Sequence, residues 1–400
     1  MKQIVIVGGG FAGVAAGLQL KKNLDSAEAE ITLIDKNPYH LFTPSLYEVA
    51  TSEVPQKNIA IPLNKIFEQG VKLLRGEVAL IDPKTNSVTL KDKTQVSFDY
   101  LLVAVGSEAA YMGIPGLQQH SVAFKSLRDA VEIKNQIKNM CCKEGKCDRK
   151  VQVIIGGGGF AGTELAAELL SYKDKIAVQN ALDRNCLELT IIQGSDKLLK
   201  ELNKHVSDLA TQRLTFPNVH LAFGGHIKEV TSSQVLTDDG KAYPYHILIW
   251  TGGVTPNHLA KENNLSVNDH GGIKVNEYLQ MEGFGHIFAV GDVATFLDPK
   301  TQKPIPQVAQ IAEEQGAIAG ENIAHLVKNK PLKKYHPRHF GYIVPIGGRF
   351  AVAELEFGIH FDGFLGWCLQ QLVLLRYLLG ILPFPKALKR WNIFELELEQ

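Results

Sequence analysis

Two identical hexamers are the residues of this chain best suited to chemistry. Residues 4–13 read IVIVGGGFAG and residues 153–162 read VIIGGGGFAG, so the GGGFAG units sit 149 residues apart. Each holds the G-x-G-x-x-G spacing, at Gly8, Gly10 and Gly13 and again at Gly157, Gly159 and Gly162. In such a turn the first glycine permits a tight bend, and the second lets a pyrophosphate approach the backbone. The third lets a helix pack closely on a strand. The helix that follows turns free N–H groups and a partial positive charge toward phosphate. One such turn is weak evidence. Two, each after an apolar run and before a helical pattern, predict two dinucleotide sites, one for a resident cofactor and one for an exchanging one.

The residue at the end of the next strand decides which nucleotide fits. After the first loop, Glu30-Ile31-Thr32-Leu33-Ile34 ends in Asp35, 22 residues past Gly13 and close to the spacing of a ribose 2′-OH acceptor. After the second loop, Leu189-Thr190-Ile191-Ile192 ends in Gln193, an amide, with Lys197 nearby. A carboxylate repels a 2′-phosphate and an amide does not, so the second site is open to NADPH as well as NADH. The simpler reading, Gln193 bonding the 2′-OH of NADH, stands beside it.

These residues need strands and helices to hold them. Phe98 to Gly106 and Tyr245 to Gly253 read as buried strands ending at glycine turns, Gly106 and Gly252 among them, that close each nucleotide fold. His286 to Asp292 is an apolar strand that delivers Asp292 to its C-terminal end, where ligands bind in parallel sheets. Gln307 to Leu326 reads as one helix, opened by Pro304 and Pro306. Residues 340–357 alternate as a small sheet of short strands.

With 400 residues the chain is too long for one ordinary core. Its 42 basic and 42 acidic residues balance, which argues against a nucleic-acid binder. Five cysteines, an odd and sparse set, speak against a disulfide framework and for a reducing cytosol. The Cys141-Cys142 pair and Cys147 read as surface thiols on a polar connector, and no metal site is expected. Met1-Lys2-Gln3 runs straight into the first strand, so no cleaved leader is expected. Residues 363–385 form an apolar run interrupted by Arg376, closed by Pro383 and Pro385, and followed by Lys386, Lys389, Arg390 and Trp391. A mid-segment arginine is costly in hydrocarbon, so the tail reads as a monotopic anchor in one leaflet. A buried helix or a dimer interface is the competing reading.

The chain resembles the type II NADH dehydrogenases, single-chain flavoprotein NAD(P)H:quinone oxidoreductases, over essentially its whole length. The resemblance rests on the two GGGFAG loops, HLFTPSLYEVAT (residues 40–51), WTGGV (250–254), AVGD (289–292), AQIAEEQG (309–316) and the tail. It implies an α/β fold of two Rossmann-like dinucleotide-binding domains plus a small C-terminal sheet and an amphipathic membrane-anchoring helix. Residues 1–112 and 275–335 would bind FAD, 113–274 would bind NAD(P)H, and 336–400 would carry the sheet and anchor. Asp35, with Lys36 beside it, would meet the adenosine ribose, and Asp292 the ribityl chain. Glu164 would lie near the nicotinamide. The helix beginning at Ala309 would stabilise charge at the flavin, and Gln310 and Glu314, i and i+4, would line the quinone site. The family has a glutamine where this chain has Glu314, and its lysine-bearing loop is shortened around residues 342–348. The implied reaction is hydride transfer from NADH or NADPH to FAD and two-electron reduction of a membrane quinone, without proton pumping. The implied place is the cytoplasmic face of a bacterial inner membrane, with homodimerisation left open.

Two other functions compete. A sulfide:quinone oxidoreductase shares the architecture but needs redox cysteines beside the flavin, and none of the five is spaced for that. A flavin- and nucleotide-binding regulatory protein without turnover would fit the altered quinone motif.

Overall fold

The computed structural model describes the backbone of residues 1–141, 150–180, 187–338 and 340–391. Cys142, Cys147 and Cys186 lie outside the described residues, as does the side chain of Cys141. The chain opens with β1 (Lys2–Val7), α1 (Phe11–Asn23), β2 (Ala29–Asp35), the short α2 (Leu46–Ala50), β3 (Lys72–Arg75) and β4 (Tyr100–Val103). A second run holds β5 (Val122–Ala123), α3 (Leu127–Cys141), β6 (Val151–Gly156), α4 (Phe160–Asn180), β7 (Leu187–Gln193), β8 (Val219–Phe223) and β9 (Ile247–Trp250). The chain returns through β10 (Ile287–Ala289) and α5 (Ala309–Val327). It finishes with β11 (Gly341–Pro345), β12 (Ala351–Leu355), β13 (His360–Gly363), α6 (Phe364–Ile381) and α7 (Phe384–Trp391).

Two parallel sheets result. The first has the order β10-β4-β1-β2-β3 and the second β5-β9-β6-β7-β8. Their central strands are apolar on both faces because helices cover both: Ile4, Val5, Ile6 and Val7 are all buried, as are Val153, Ile154 and Ile155. In each sheet the glycine loop leaves the strand where chain order reverses, between β1 and β4 and between β6 and β9. That crevice is where doubly wound sheets take their ligands. The two halves are stitched by an antiparallel ribbon, Ser107–Ala109 with Val254–Pro256.

α5 lies directly on α1. A Cβ at Gly316 would overlap the Ala12 carbonyl, and one at Gly320 would stand 2.7 Å from that of Ala16. Glycines one turn apart therefore set the separation of the two helices and fix where the N-terminus of α5 points.

The small sheet has three antiparallel strands rather than the two the alternation suggests, with β13 supplying the third. The apolar run forms α6, and α7 follows it. Leu382 is extended and Pro383 interrupts the backbone, so α7 folds back, and Trp391 Nε1 donates to the Gln371 carbonyl at 2.8 Å. One side of α6 is buried at Gly366, Tyr377, Leu378 and Ile381. The other carries Leu365, Leu372 and Leu379 at seven-residue spacing, one stripe of a helix. α6 is long and apolar enough to cross a membrane by length and composition.

Candidate functional site

The first glycine loop is shaped by backbone, not by side chains. Gly8 has φ of 110°, and a Cβ there would overlap the Ala104 carbonyl at the end of β4. At Gly13 a Cβ would overlap the carbonyl of Gly8 itself. Gly10, by contrast, faces open space, with nothing within 4 Å of where its Cβ would stand. The space left by Gly10 lies ahead of the first N–H groups of α1, which have no partner inside the helix. Asp35 closes the loop. Its Oδ2 accepts from Gly9 N at 2.6 Å and its Oδ1 from Asn37 N at 2.7 Å. Burial pushes its carboxyl up, against the pull of those two donors and of Lys36.

The second loop repeats this plan. Gly157 has φ of 115° and would meet Gly252 at 2.8 Å, and a Cβ at Gly162 would overlap the Gly157 carbonyl. Gly159 faces open space. Thr251 Oγ1 donates to the carbonyl of Gly157 at 2.9 Å. Gln193 stands in the place Asp35 holds in the first loop, its Oε1 accepting from Gly158 N at 2.8 Å.

Asp292 is delivered beside the first loop by β10 and lies where the two halves meet. Its Oδ2 accepts from Ser107 Oγ at 2.5 Å, and Lys125 Nζ of the second half stands 3.5 Å away. Gln315, buried on α5, accepts from Gly291 N through Oε1 at 2.7 Å. It locks the turn that presents Asp292. Gly106 has φ of 71° and faces open space on the same side.

Glu164, on α4, belongs to a group of acids. Burial, then Glu48 on α2, holds its carboxyl well above the usual range. Glu48 is pushed to about 7 by burial, with Glu168 adding to the shift. Burial also raises Glu168, whose Oε2 accepts from Gly348 N at 3.2 Å. Tyr47 neighbours these acids, and Gln370 of α6 donates to its hydroxyl at 3.0 Å.

α5 begins at Ala309, and its first turns carry Gln310, Glu313 and Glu314. Burial raises the Glu314 carboxyl, against the pull of Arg338 and, more weakly, of Gln310 one turn before it. Glu314 Oε2 is buried and has no protein partner. Glu313 faces the tail, 3.6 Å from the Arg376 guanidinium. It lines a cavity of about 200 Å³ with Phe11, Val14, Leu18, Tyr377 and Ile381, between α1, α5 and α6. Of the two adjacent acids, Glu313 is the one on the wall of that cavity, which Gln19 also lines.

The structure thus gathers Gly8, Gly10, Gly13, Asp35, Lys36, Gly106 and Asp292 at one crevice, and Gly157, Gly159, Gly162, Gln193 and Gly252 at the other. Ala309, Gln310 and Glu314 stand on α5, packed against the first. Sequence reading passed over His40, Glu48, Lys125, Glu313 and Tyr377. Their signal is spread over separate segments: His40 and Glu48 lie in HLFTPSLYEVAT, Glu313 in AQIAEEQG, and Lys125 and Tyr377 elsewhere.

Residues 2–316 match the family described as pyridine nucleotide-disulphide oxidoreductase. A type II NADH:quinone oxidoreductase of Staphylococcus epidermidis is 27% identical over 365 residues, 88% of this chain and 89% of the relative. NDH2 from Plasmodium falciparum, solved in complex with NADH, superposes with a TM-score of 0.84 at 18% identity, over 98% of this chain and 96% of that one. The sulfide:quinone oxidoreductase of Aquifex aeolicus superposes with a TM-score of 0.77 at 21% identity, over 100% of this chain and 96% of that one. These last two likenesses concern the fold.

Proposed function

The chain belongs to the pyridine nucleotide-disulphide oxidoreductase family, and from that premise we propose that it is a single-chain, FAD-dependent NADH:quinone oxidoreductase of the type II kind. The observation that carries this reading is the pairing of two open glycine cradles, each at a sheet's switch point, across an interface that holds Asp292 between Ser107 and Lys125. FAD, when bound, supplies the chemistry: it takes a hydride from a nicotinamide and passes on two electrons.

The residues present fit that group. Gly10 leaves room for a diphosphate, and α1 offers it N–H groups. Asp35 and Lys36 close the adenosine end, and Asp292, reached from Gly106, suits a polyol hydroxyl. The second cradle takes NADH on Gly157, Gly159 and Gly162, with Gln193 at its ribose and Gly252 behind the loop. Glu164 stands toward the nicotinamide end. The N-terminal dipole of α5 at Ala309 favours negative charge nearby.

The quinone is received at the first turns of α5. Gln310 and Glu314 present a donor and an acid there, and burial keeps Glu314 toward the protonated form from which a reduced quinone takes a proton. The cavity beside Glu313 lies between α1 and α6, the helix that bears the lipophilic stripe. α6 lies on one leaflet, at the cytoplasmic face of a bacterial inner membrane. It does not cross, because Tyr377, Leu378 and Ile381 are buried against the body of the protein and Arg376 is paired with Glu313. The test is steady-state NADH oxidation by lipid-supplemented protein with and without a short-chain quinone.

A further inference from the structure

Lys125 reaches from one half of the molecule into the other. It follows β5, whose Val122 and Ala123 pair with Ile249 and Trp250 of β9, so it leaves the second sheet at the same end as Gly252. Phe124 N donates to the Trp250 carbonyl at 3.2 Å. The next residues form a reciprocal cap at the start of α3. Asp129 Oδ2 accepts from Lys125 N at 3.0 Å and from Ser126 N at 2.7 Å, and Asp129 N donates to Ser126 Oγ at 3.2 Å. The backbone of Lys125 is therefore fixed on both sides, by the strand before it and the helix cap after it.

Its ammonium meets a carboxylate held as firmly. Gln307 Nε2 donates to the Asp292 carbonyl at 2.8 Å, and Gln315 takes the Gly291 N–H at 2.7 Å, so α5 and the segment leading into it hold the turn. Asp292 Oδ2 accepts from Ser107 Oγ of its own half and stands 3.5 Å from Lys125 Nζ of the other.

Other contacts between the halves differ in kind. Leu46, Tyr47, Val49 and Ala50 of α2 share one apolar cluster with Ala130, Ile133 and Ile137 of α3. Apolar burial is non-directional, so it holds the halves together without fixing how one is turned on the other. The ribbon adds backbone bonds, from Ala110 N to the Gly253 carbonyl and from Asn257 N to the Gly106 carbonyl, both at 3.1 Å. The ion pair has a direction, and it runs from the end of the second sheet to the first crevice. Hydride transfer is sensitive to that register. The reacting atoms must lie about 3–3.5 Å apart, and a misplacement of about 1 Å costs roughly 100-fold.

We propose that Lys125 is a positioning residue for the hydride transfer: through Asp292 it sets the register of the nicotinamide-binding half on the flavin-binding half. The inference rests on the redox reading above for the occupants of the two crevices.

The test uses the FAD-loaded protein and rapid-mixing measurements of flavin bleaching by NADH in wild type, Lys125→Met and Lys125→Arg. Lys125 is partly exposed, so a neutral side chain of similar length is accommodated. Lys125→Met should slow bleaching at saturating NADH by about 10- to 100-fold, and shift the NADH concentration that gives half the maximal rate by less than about threefold. It should also weaken the long-wavelength absorbance of a nicotinamide stacked on reduced flavin, and speed hydrogen exchange at the Ala110 and Asn257 amides. Lys125→Arg, which keeps the charge, should recover the rate to within about fivefold of wild type. A Lys125→Met protein that bleaches at the wild-type rate, or whose only change is weaker binding of NADH or FAD, overturns the positioning role. So does a slow variant with unchanged hydrogen exchange, or a Lys125→Arg protein no faster than Lys125→Met. A wild type that NADH does not bleach overturns the redox reading, and this inference with it.

Discussion

Tyr377 Oη donates to His40 Nε2 at 2.7 Å, between residues 337 positions apart. The other ring nitrogen, Nδ1, lies 3.1 Å from the Gly9 carbonyl. A carbonyl only accepts, so Nδ1 carries the hydrogen and Nε2 receives the one from tyrosine. Both ring positions are used by the neutral imidazole, among Phe11, Phe42 and Tyr377. α6 is in this way hydrogen-bonded, through one buried ring, to the first glycine loop.

That ring gives stability a pH dependence. Burial lowers His40 from the ordinary 6.5 to about 4. Between those values the unfolded chain binds a proton that the folded one does not, so stability falls as pH falls, by up to about 3 kcal/mol in all. Thermal unfolding followed from pH 7 to pH 4 should show this loss, and His40→Asn should flatten it. Equal slopes in both proteins would count against the buried neutral ring.

Glu48 acts with the opposite sign. Burial raises it to about 7, from an ordinary 4.5. Here the folded state holds the proton more tightly, so stability falls as pH rises through that window and stays low above it. Glu48→Gln should therefore be more stable than wild type at pH 8, by about 1–3 kcal/mol, and not at pH 4.5. Melting temperatures at the two pH values decide it, and a variant that loses stability at pH 8 refutes the assignment.

Gly10 separates folding from cofactor binding. No protein atom lies within 4 Å of its missing Cβ, so Gly10→Val should leave the fold intact while filling the space a diphosphate needs. Far-ultraviolet circular dichroism should match wild type, and the purified protein should be colourless. A yellow Gly10→Val protein would mean that the cofactor lies elsewhere.

Membrane attachment should depend on the apolar stripe more than on charge. Leu365, Leu372 and Phe384 are 63, 56 and 64% exposed. Of the basic residues beside them, Lys386 is paired with Glu68, and the Arg390 guanidinium donates to the Lys57 carbonyl. Replacing Leu365, Leu372 and Phe384 together by Ser should abolish sedimentation with vesicles and spare NADH oxidation with a water-soluble acceptor. High salt should release only a minor part of the wild type. Complete release by salt would contradict this reading.

The glycine cradles could be read from sequence because strand, turn and helix are contiguous there, and the spacing of six residues is the geometry. The strand ends at Asp35, Gln193 and Asp292 followed for the same reason: a parallel sheet aligns the carboxyl ends of its strands. What the sequence hid comes from distant segments brought together by packing. Tyr377 and His40 are one example, and Arg376 with Glu313 is another. Within AQIAEEQG, helix phase turns Glu313 rather than its neighbour Glu314 toward the cavity under the tail. That phase follows from the way Gly316 and Gly320 seat α5 on α1. Pro383 marks the end of the apolar run in the sequence and of α6 in the structure, whereas the return of α7 onto α6 through Trp391 and Gln371 depends on packing.

The central claim is tested most directly by anaerobic titration of the purified, lipid-supplemented protein with NADH, followed by a quinone. The account predicts a yellow protein whose flavin absorbance disappears with one equivalent of NADH and returns on adding quinone, with steady turnover once both are in excess. A protein that takes up no flavin would contradict the fold-to-cofactor assignment. One that bleaches with NADH and stays bleached in the presence of quinone would contradict the enzyme.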